Sequence, residues 1–358
     1  MLFKKSKIGN MEVKNHFIKS ATWEKRATED SHMTEYLFEH YKEVAEGGVG
    51  TIILSYAHVL STEQPNPNML GMYDDSFIPE YKKLTDMVHK EGTKIVAQLV
   101  YGGNMTNYKV EGRDILSPSG IPIREDRPNG RPFNDEDVEM LIEGFKKAAI
   151  RTKKAGFDGV QIHSAHGYFL SHTMSPVYNK RTDKYGEDKG KLIYEVYEGM
   201  REAVGPDYPI WIKINCKDFL PQGTEVSDVI NICKKLEELG IDAIEVRGGP
   251  GIIASETFAR KKILKLEDEG TFEKETIAIA ESVNVPVIMV GGLRSIEYMN
   301  NIYENTNIKN FSLARPLICE RNLINKWIDN PEKRAKCVSC GNCFGQRDRV
   351  PFTCILEK

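Results

Sequence analysis

The chain has 358 residues, 40% of them apolar and 28% charged, with a formal net charge of −3. That balance is soluble and globular, and without a dense Lys/Arg block it excludes a nucleic-acid surface. The opening MLFKKSKIGN lacks the apolar core of a signal peptide, and no later apolar run is long enough for a bilayer. The expectation is therefore a cytoplasmic protein with neither a membrane nor a nucleic-acid partner.

In chain order, the first short apolar run covers residues 16–20. A helical pattern over 34–45 places Leu37, Phe38, Tyr41, Val44 and Ala45 on one face before Gly47 and Gly48. Strand-like runs follow at 51–54 and 94–99. Residues 101–133, rich in Gly, Pro and Asn, then form a long loop of the kind that serves as a lid or substrate-binding element. The spacing predicts a helix over 135–155, opened by Asn134 as N-cap and closed by Gly156. Strands are expected at 159–163 and 210–214, a helix at 226–239 ending at Gly240, and strands at 243–246, 285–290 and 310–313. Each run is too short for a helix, and several are apolar on consecutive residues, as in strands buried on both faces.

Helix, glycine and strand recur at Gly92, Gly156 and Gly240, the rhythm of repeated parallel βα units. Eight such strands suit a closed barrel or an open doubly wound sheet. No Gly-x-Gly-x-x-Gly follows the first strand, which favours the barrel. The expected architecture is α/β: a (β/α)8 TIM barrel over 1–330 with a cysteine-rich extension, 331–358, packed on it.

Chemistry in such a barrel sits where the chain leaves the C-terminal ends of the strands. The exits read Ser20-Ala21-Thr22-Trp23, Tyr56-Ala57-His58, Gln98 to Gly103 and His163-Ser164-Ala165-His166-Gly167-Tyr168. Lys213 lies on the fifth strand. Gly291-Gly292 follows the seventh and Arg315 the eighth. Exits seven and eight often bind phosphate; the glycines permit close backbone approach and Arg315 offers a forked cation, though a Gly turn beside a surface Arg reads the same way. Two readings fit His163 and His166. They could ligate a divalent metal, for which no third ligand is evident, or grip a carbonyl oxygen beside Tyr168, whose phenol, with a pKa of about 10, is a proton donor at neutral pH.

These stretches resemble the old yellow enzyme family, in particular the barrel domain of its 2,4-dienoyl-CoA reductase and 2-enoate reductase branch. The matching segments are 15–23, 95–103, 156–185 (GFDGVQIHSAHGYFLSHTMSPVYNKRTDKY), 287–293 and 311–316. The resemblance implies FMN across the mouth, its phosphate on Gly291, Gly292 and Arg315, its pyrimidine edge on Gln98, and its ring lined by Ala21, Thr22 and Ala57. Lys213 would stand by the flavin N1 and C2 carbonyl. His163 and His166 would hold the carbonyl of a small unsaturated substrate, hydride would reach its β carbon from the flavin, and Tyr168 would protonate the α carbon. Trp23 falls near the family position beside flavin N5.

Two departures stand out. After Asp183-x-Tyr185-Gly186 the family continues with a second Gly and an Asn-Arg pair, where this chain has Glu187-Asp188-Lys189-Gly190-Lys191, putting the next helix start in question. The tail Cys337-x2-Cys340-x2-Cys343-x10-Cys354 resembles the branch's 4Fe-4S segment, with both later gaps one residue short. In a reducing cytosol clustered thiolates suit iron–sulfur or zinc better than disulfides, and spacing does not separate the two metals. Cys216, Cys233 and Cys319 read as small core residues. The second, FAD- and NAD(P)H-binding part of the longer relatives is not in this sequence. The expectation is that NAD(P)H reduces FMN directly, or that an electron-transfer protein feeds the cysteine tail. The reading leaves room for a homo-oligomer. The rivals are a metal-dependent barrel lyase or hydrolase using His163 and His166, and a non-enzymatic flavin electron carrier.

Overall fold

A computed structural model describes residues 1–249, 262–345 and 354–356. Eight parallel strands form its centre: β1 Phe17–Lys19, β2 Thr51–Ile53, β3 Lys94–Val100, β4 Gly159–Ser164, β5 Ile210–Asn215, β6 Ala243–Arg247, β7 Val287–Val290 and β8 Asn310–Leu313. Each pairs with the next, and β8 pairs with β1, so the sheet closes on itself. This is the expected (β/α)8 barrel, with each strand where an apolar run foretold it.

Alternation along the strands divides the interior into two layers. The lower is apolar: Ile18, Ile53, Val96, Trp211, Ala243 and Ile288 pack together. An antiparallel hairpin, Ser6–Ile8 with Met11–Val13, closes that end and adds Ile8, Met11 and Val13 to the plug. The residues two positions on from several of these are polar, so the upper layer is a site rather than a core. Outside, the helices α1 Glu35–Glu46, α2 Ile78–Lys90, α3 Asp135–Lys154, α4 Lys191–Val204, α5 Val226–Leu239, α6 Glu273–Ser282 and α7 Ile296–Asn305 lay their apolar faces on the strands.

The helix ends follow their local chemistry. Asn134 accepts from the Asp137 amide and Asp137 returns the bond to the Asn134 amide, a full capping box. Gly240 ends α5 in the left-handed region at φ 95°. The departure from the family pattern after Asp183 leaves two helices in succession. Asp183 caps the short turn Lys184–Glu187, and α4 then starts from Gly190.

The 101–133 segment carries a one-turn helix, Gly103–Met105, and the paired strands Leu116–Ser117 and Arg131–Pro132. Asn104 binds the carbonyls of Ile121 and Asn129 and meets His172 Nδ1 at 3.0 Å, tying this loop to the short helix Phe169–Met174 behind the fourth exit. At the C-terminus, helix α8 Leu323–Asp329 leads into a segment held by Ala335 N–H to Arg294 O (2.8 Å) and Lys336 N–H to Glu320 Oε2 (2.7 Å). Among the described residues no helix is long and apolar enough to cross a membrane.

Candidate active site at the barrel mouth

Strand register sets the upper layer. Gln161 stands opposite Gln98, Lys213 opposite His163, and Glu245 opposite Lys213. Gln98 donates to Gln161 at 2.6 Å and Gln161 to Glu245 at 3.0 Å. Lys213 Nζ reaches Ser20 Oγ at 2.8 Å and Glu245 Oε1 at 3.1 Å, while Ser20 and Ser312 both donate to that oxygen. Burial alone would raise the Glu245 carboxyl, but Lys213 and these donors outweigh it and hold the group ionised, below its ordinary value. Burial pulls the Lys213 ammonium down, and Glu245 offsets part of that. The floor of the mouth is thus a buried, hydrogen-bonded ion pair, Lys213 with Glu245, joined to the side-chain amides of Gln161 and Gln98.

Above it lie the histidines. The Ala165 amide donates to His163 Nδ1 at 3.2 Å, so the neutral ring carries its proton on Nε2. His163 Nε2 then donates to His166 Nδ1, also 3.2 Å away, which places the second proton on His166 Nε2. Burial, with Lys213 and Arg247 adding repulsion, holds His163 well below the ordinary imidazole range; burial with Arg247, His163 and Lys213 does the same to His166. Both shifts favour the neutral form of the rings. His166 sits at φ 62°, and its amide donates to Asn215 Oδ1 at 3.2 Å, so β5 fixes the turn that aims it. Tyr168 packs edge-on to His163 with centroids 4.9 Å apart. Its hydroxyl donates to Tyr56 at 3.1 Å and accepts from Asn66 at 3.0 Å. Trp23 packs against the cluster of Tyr56, Met69, Val100 and Tyr168.

The last two exits form a small cavity of about 40 Å³ lined by Val290 to Arg294 and Ser312 to Pro316. Gly291 and Gly292 have φ of 121° and 80°. A Cβ on Gly292 would stand 2.7 Å from Thr271 Oγ1 and 3.1 Å from the Gly270 nitrogen, so only glycine leaves this cradle open. Arg315 begins the short helix Arg315–Cys319 on its far side. Glycine backbone, a cation and a shaped hollow suit an anionic group such as a phosphate.

The remaining residues singled out in the sequence divide. Ala21 and Thr22 are partly exposed at the first exit, where Thr22 Oγ1 donates to Ser20 O at 3.1 Å. Ala57 is fully buried in the short strand Ala57–His58, paired beside Leu99 of β3. In the tail Cys337 is buried and Cys340, Cys343 and Cys354 are half-buried. Arg294, itself buried, donates to Cys337 Sγ at 3.5 Å. Among the described residues no three His, Cys, Asp or Glu side chains are placed to hold a metal ion, which applies to the tail and to the histidine pair alike. Sequence reasoning passed over Glu245, Gln161, Asn215 and Asn66. A carboxylate in the otherwise apolar stretch Ala243 to Val246 was the one signal that could have found Glu245.

A closed parallel barrel with a glycine-lined hollow and a buried histidine pair at its mouth is a combination that can be compared with known proteins. Among solved structures the fold matches 2-naphthoyl-CoA reductase in complex with 2-naphthoyl-CoA, with TM-score 0.82, 23% identity, and 92% of this chain and 52% of that one covered. It matches an old yellow enzyme homologue from Zymomonas mobilis with TM-score 0.78, 24% identity and coverage of 93% and 94%. Histamine dehydrogenase from Rhizobium sp. 4-9 gives TM-score 0.82, 26% identity and coverage of 92% and 48%. The chain belongs to the NADH:flavin oxidoreductase / NADH oxidase family, which it matches over residues 1–333. Relatives include a metal reductase from Desulforamulus reducens, 31% identical over 100% of this chain and 53% of that protein. An NADH oxidase from Thermoanaerobacter brockii is 31% identical over 97% and 54%. An NADPH dehydrogenase from a Geobacillus species is 32% identical over 70% and 73%. The chain spans about half the length of the first two of these relatives.

Proposed function

We propose that the chain is an FMN-dependent oxidoreductase of the ene-reductase type, reducing an activated C=C of a small α,β-unsaturated carbonyl or enoate. The observation that carries this reading is the buried histidine pair beside the Tyr168 phenol, over a floor made of the Lys213–Glu245 ion pair and side-chain amides. The glycine cradle fits the FMN phosphate, with Gly291, Gly292 and Arg315 as its holders. Gln98 and Lys213 suit the polar edge of the ring, and Ala21, Thr22 and Ala57 its surroundings. Bound there, FMN supplies hydride to the β carbon of the alkene. His163 and His166 present N–H donors to the substrate oxygen; an oxygen that displaces the bond between the rings receives the Nε2–H of both. They act on charge that grows at that oxygen, so their effect falls on kcat more than on binding. Tyr168 gives its proton to the α carbon.

Relatives named NADH oxidase and NADPH dehydrogenase support NAD(P)H as reductant. We assign the barrel to residues 1–330 and treat 331–358 as an extension on it, in a cytoplasmic protein that functions alone or as a homo-oligomer. The number and clustering of Cys337, Cys340, Cys343 and Cys354 support either a 4Fe-4S cluster, which an electron-transfer protein would feed, or a redox-inert structural zinc. The side chains are not drawn up as a ligand set, so no step is routed through them.

The test is an absorption spectrum of anaerobically purified protein with flavin, iron and zinc analysis, followed by reoxidation of the reduced protein with an enone. The expected result is yellow protein that dithionite bleaches and the enone restores. In Tyr168→Phe, reoxidation should slow by roughly 10²–10⁴-fold, the weight of a general acid, with flavin content unchanged. Protein that stays colourless when FMN is supplied would overturn the reading.

A further inference from the structure

The Tyr168 hydroxyl does not stand alone. Tyr56, from the second exit, lies with its oxygen 3.1 Å away and its ring centroid at 5.5 Å. Asn66, further along the same loop, donates from Nδ2 to both phenols, at 3.1 Å to Tyr56 and 3.0 Å to Tyr168. Both tyrosines are buried, and Tyr56 also packs edge-on to His163 at 5.9 Å. The three groups form a closed triangle on the wall of the mouth, beside the ring that grips the substrate.

We propose that Tyr56 and Asn66 are positioning residues that hold the conjugate base of Tyr168, so that the phenol becomes a stronger acid for protonating the reduced alkene. This rests on the ene-reductase reading. When Tyr168 turns its O–H toward the α carbon, the C–H bond forms, the O–H bond breaks, and the electron pair stays on the phenolate oxygen. That oxygen already accepts the Asn66 N–H. A hydroxyl rotates freely about its C–O bond, so Tyr56 reverses from acceptor to donor and supplies a second bond. Donors fixed where charge appears stabilise it without reorganisation, and hydrogen bonds to an ionised form lower its pKa. Water then returns a proton to Tyr168. Tyr56 cannot be replaced in this by phenylalanine, which keeps the ring contacts and loses the donor.

The experiment uses flavin-loaded protein, reduced anaerobically and mixed with 2-cyclohexenone, with the rate of flavin reoxidation followed against pH. In the parent the rate falls on the alkaline side as Tyr168 ionises. In Tyr56→Phe that limb moves up by about one pH unit and the neutral-pH rate drops about tenfold, the factor that one pKa unit carries, in kcat rather than KM. Asn66→Leu, at a half-buried loop position, does the same and serves if Tyr56→Phe loses its flavin. In the Tyr168→Phe background neither change has a further effect, because groups in one network are not additive. An unmoved alkaline limb, or an equal loss in both backgrounds, overturns the proposal while leaving the ene-reductase reading intact. A parent protein that the enone does not reoxidise overturns both.

Discussion

Gly292 shows how narrowly a single residue sets the hollow at the last two exits, the proposed cofactor cradle. At φ 80° an alanine would be strained, and its Cβ would press on the Gly270 backbone as well as on Thr271. The strain is of order 1–2 kcal/mol, and the backbone must shift at the point proposed to face the phosphate. Gly292→Ala should therefore weaken FMN binding about tenfold, the equivalent of some 1.4 kcal/mol, as measured by flavin fluorescence titration. Gly92→Ala is the control: its φ is 64° but nothing lies within 4 Å of the added carbon, so it carries strain without crowding. It should lose stability and keep its flavin affinity. Equal affinity in the two variants would mean that the cradle does not hold the phosphate. Gly292 was legible from its place after the seventh strand, as were His163, His166 and Tyr168 from theirs after the fourth. Asn66 was not, because its approach to Tyr168 depends on the path of a loop more than 100 residues away along the chain, which no periodicity encodes.

The strands were legible because burial on both faces leaves an apolar run whatever the neighbours do. Elements that depend on a partner were not. The pairs Ala57–His58 and Leu70–Gly71, and the N-terminal hairpin, are too short to show a period and exist through tertiary contact. The first of these extends β3 by pairing with it up to Val100, one residue past the expected end. Glu63 ties that region together. Its Oε2 accepts from the Gly102 amide at 3.1 Å, and Arg113 of the long loop lies 3.4 Å from Oε1. Burial pushes the Glu63 carboxyl up to about 7 despite both partners. The unfolded chain ionises near 4.5, so the folded state holds the proton longer and stability falls as pH rises from 4.5 through 7. Above that window the cost is roughly 3 kcal/mol, from 1.36 per unit. Glu63→Gln retains an oxygen for Gly102 and removes the charge. Its melting temperature relative to the parent should therefore rise between pH 5 and pH 8. A difference that stays constant or shrinks would show that Arg113 keeps the carboxyl ionised throughout.

At the scale of the whole molecule the histidines dominate the response to acid. Burial, as the first cause, holds His16, His40, His58, His163, His166 and His172 below the ordinary imidazole value, with His58 at about 4 and His172 at about 3. The unfolded chain protonates each near 6.5, so between there and the folded values it binds more protons than the native state, and stability falls as pH falls. Four acids oppose this. Glu63, Glu80, Asp218 and Glu269 are raised by burial and keep protons in the fold that the unfolded chain has lost. Only Glu63 among them has a shift comparable with those of the buried histidines, so the histidines decide the sign. Below pH 6.5 unfolding should take up net protons, each worth roughly 1.36 kcal/mol per pH unit. Melts at fixed excess FMN should show no histidine-linked change above pH 7, where imidazoles are neutral in both states, and a fall of several degrees from pH 7 to pH 5. A melting temperature that holds level across that interval would mean that the buried histidines as a set exclude no more protons from the fold than the four acids retain, and the support that burial lends to a neutral His163 and His166 pair would be lost.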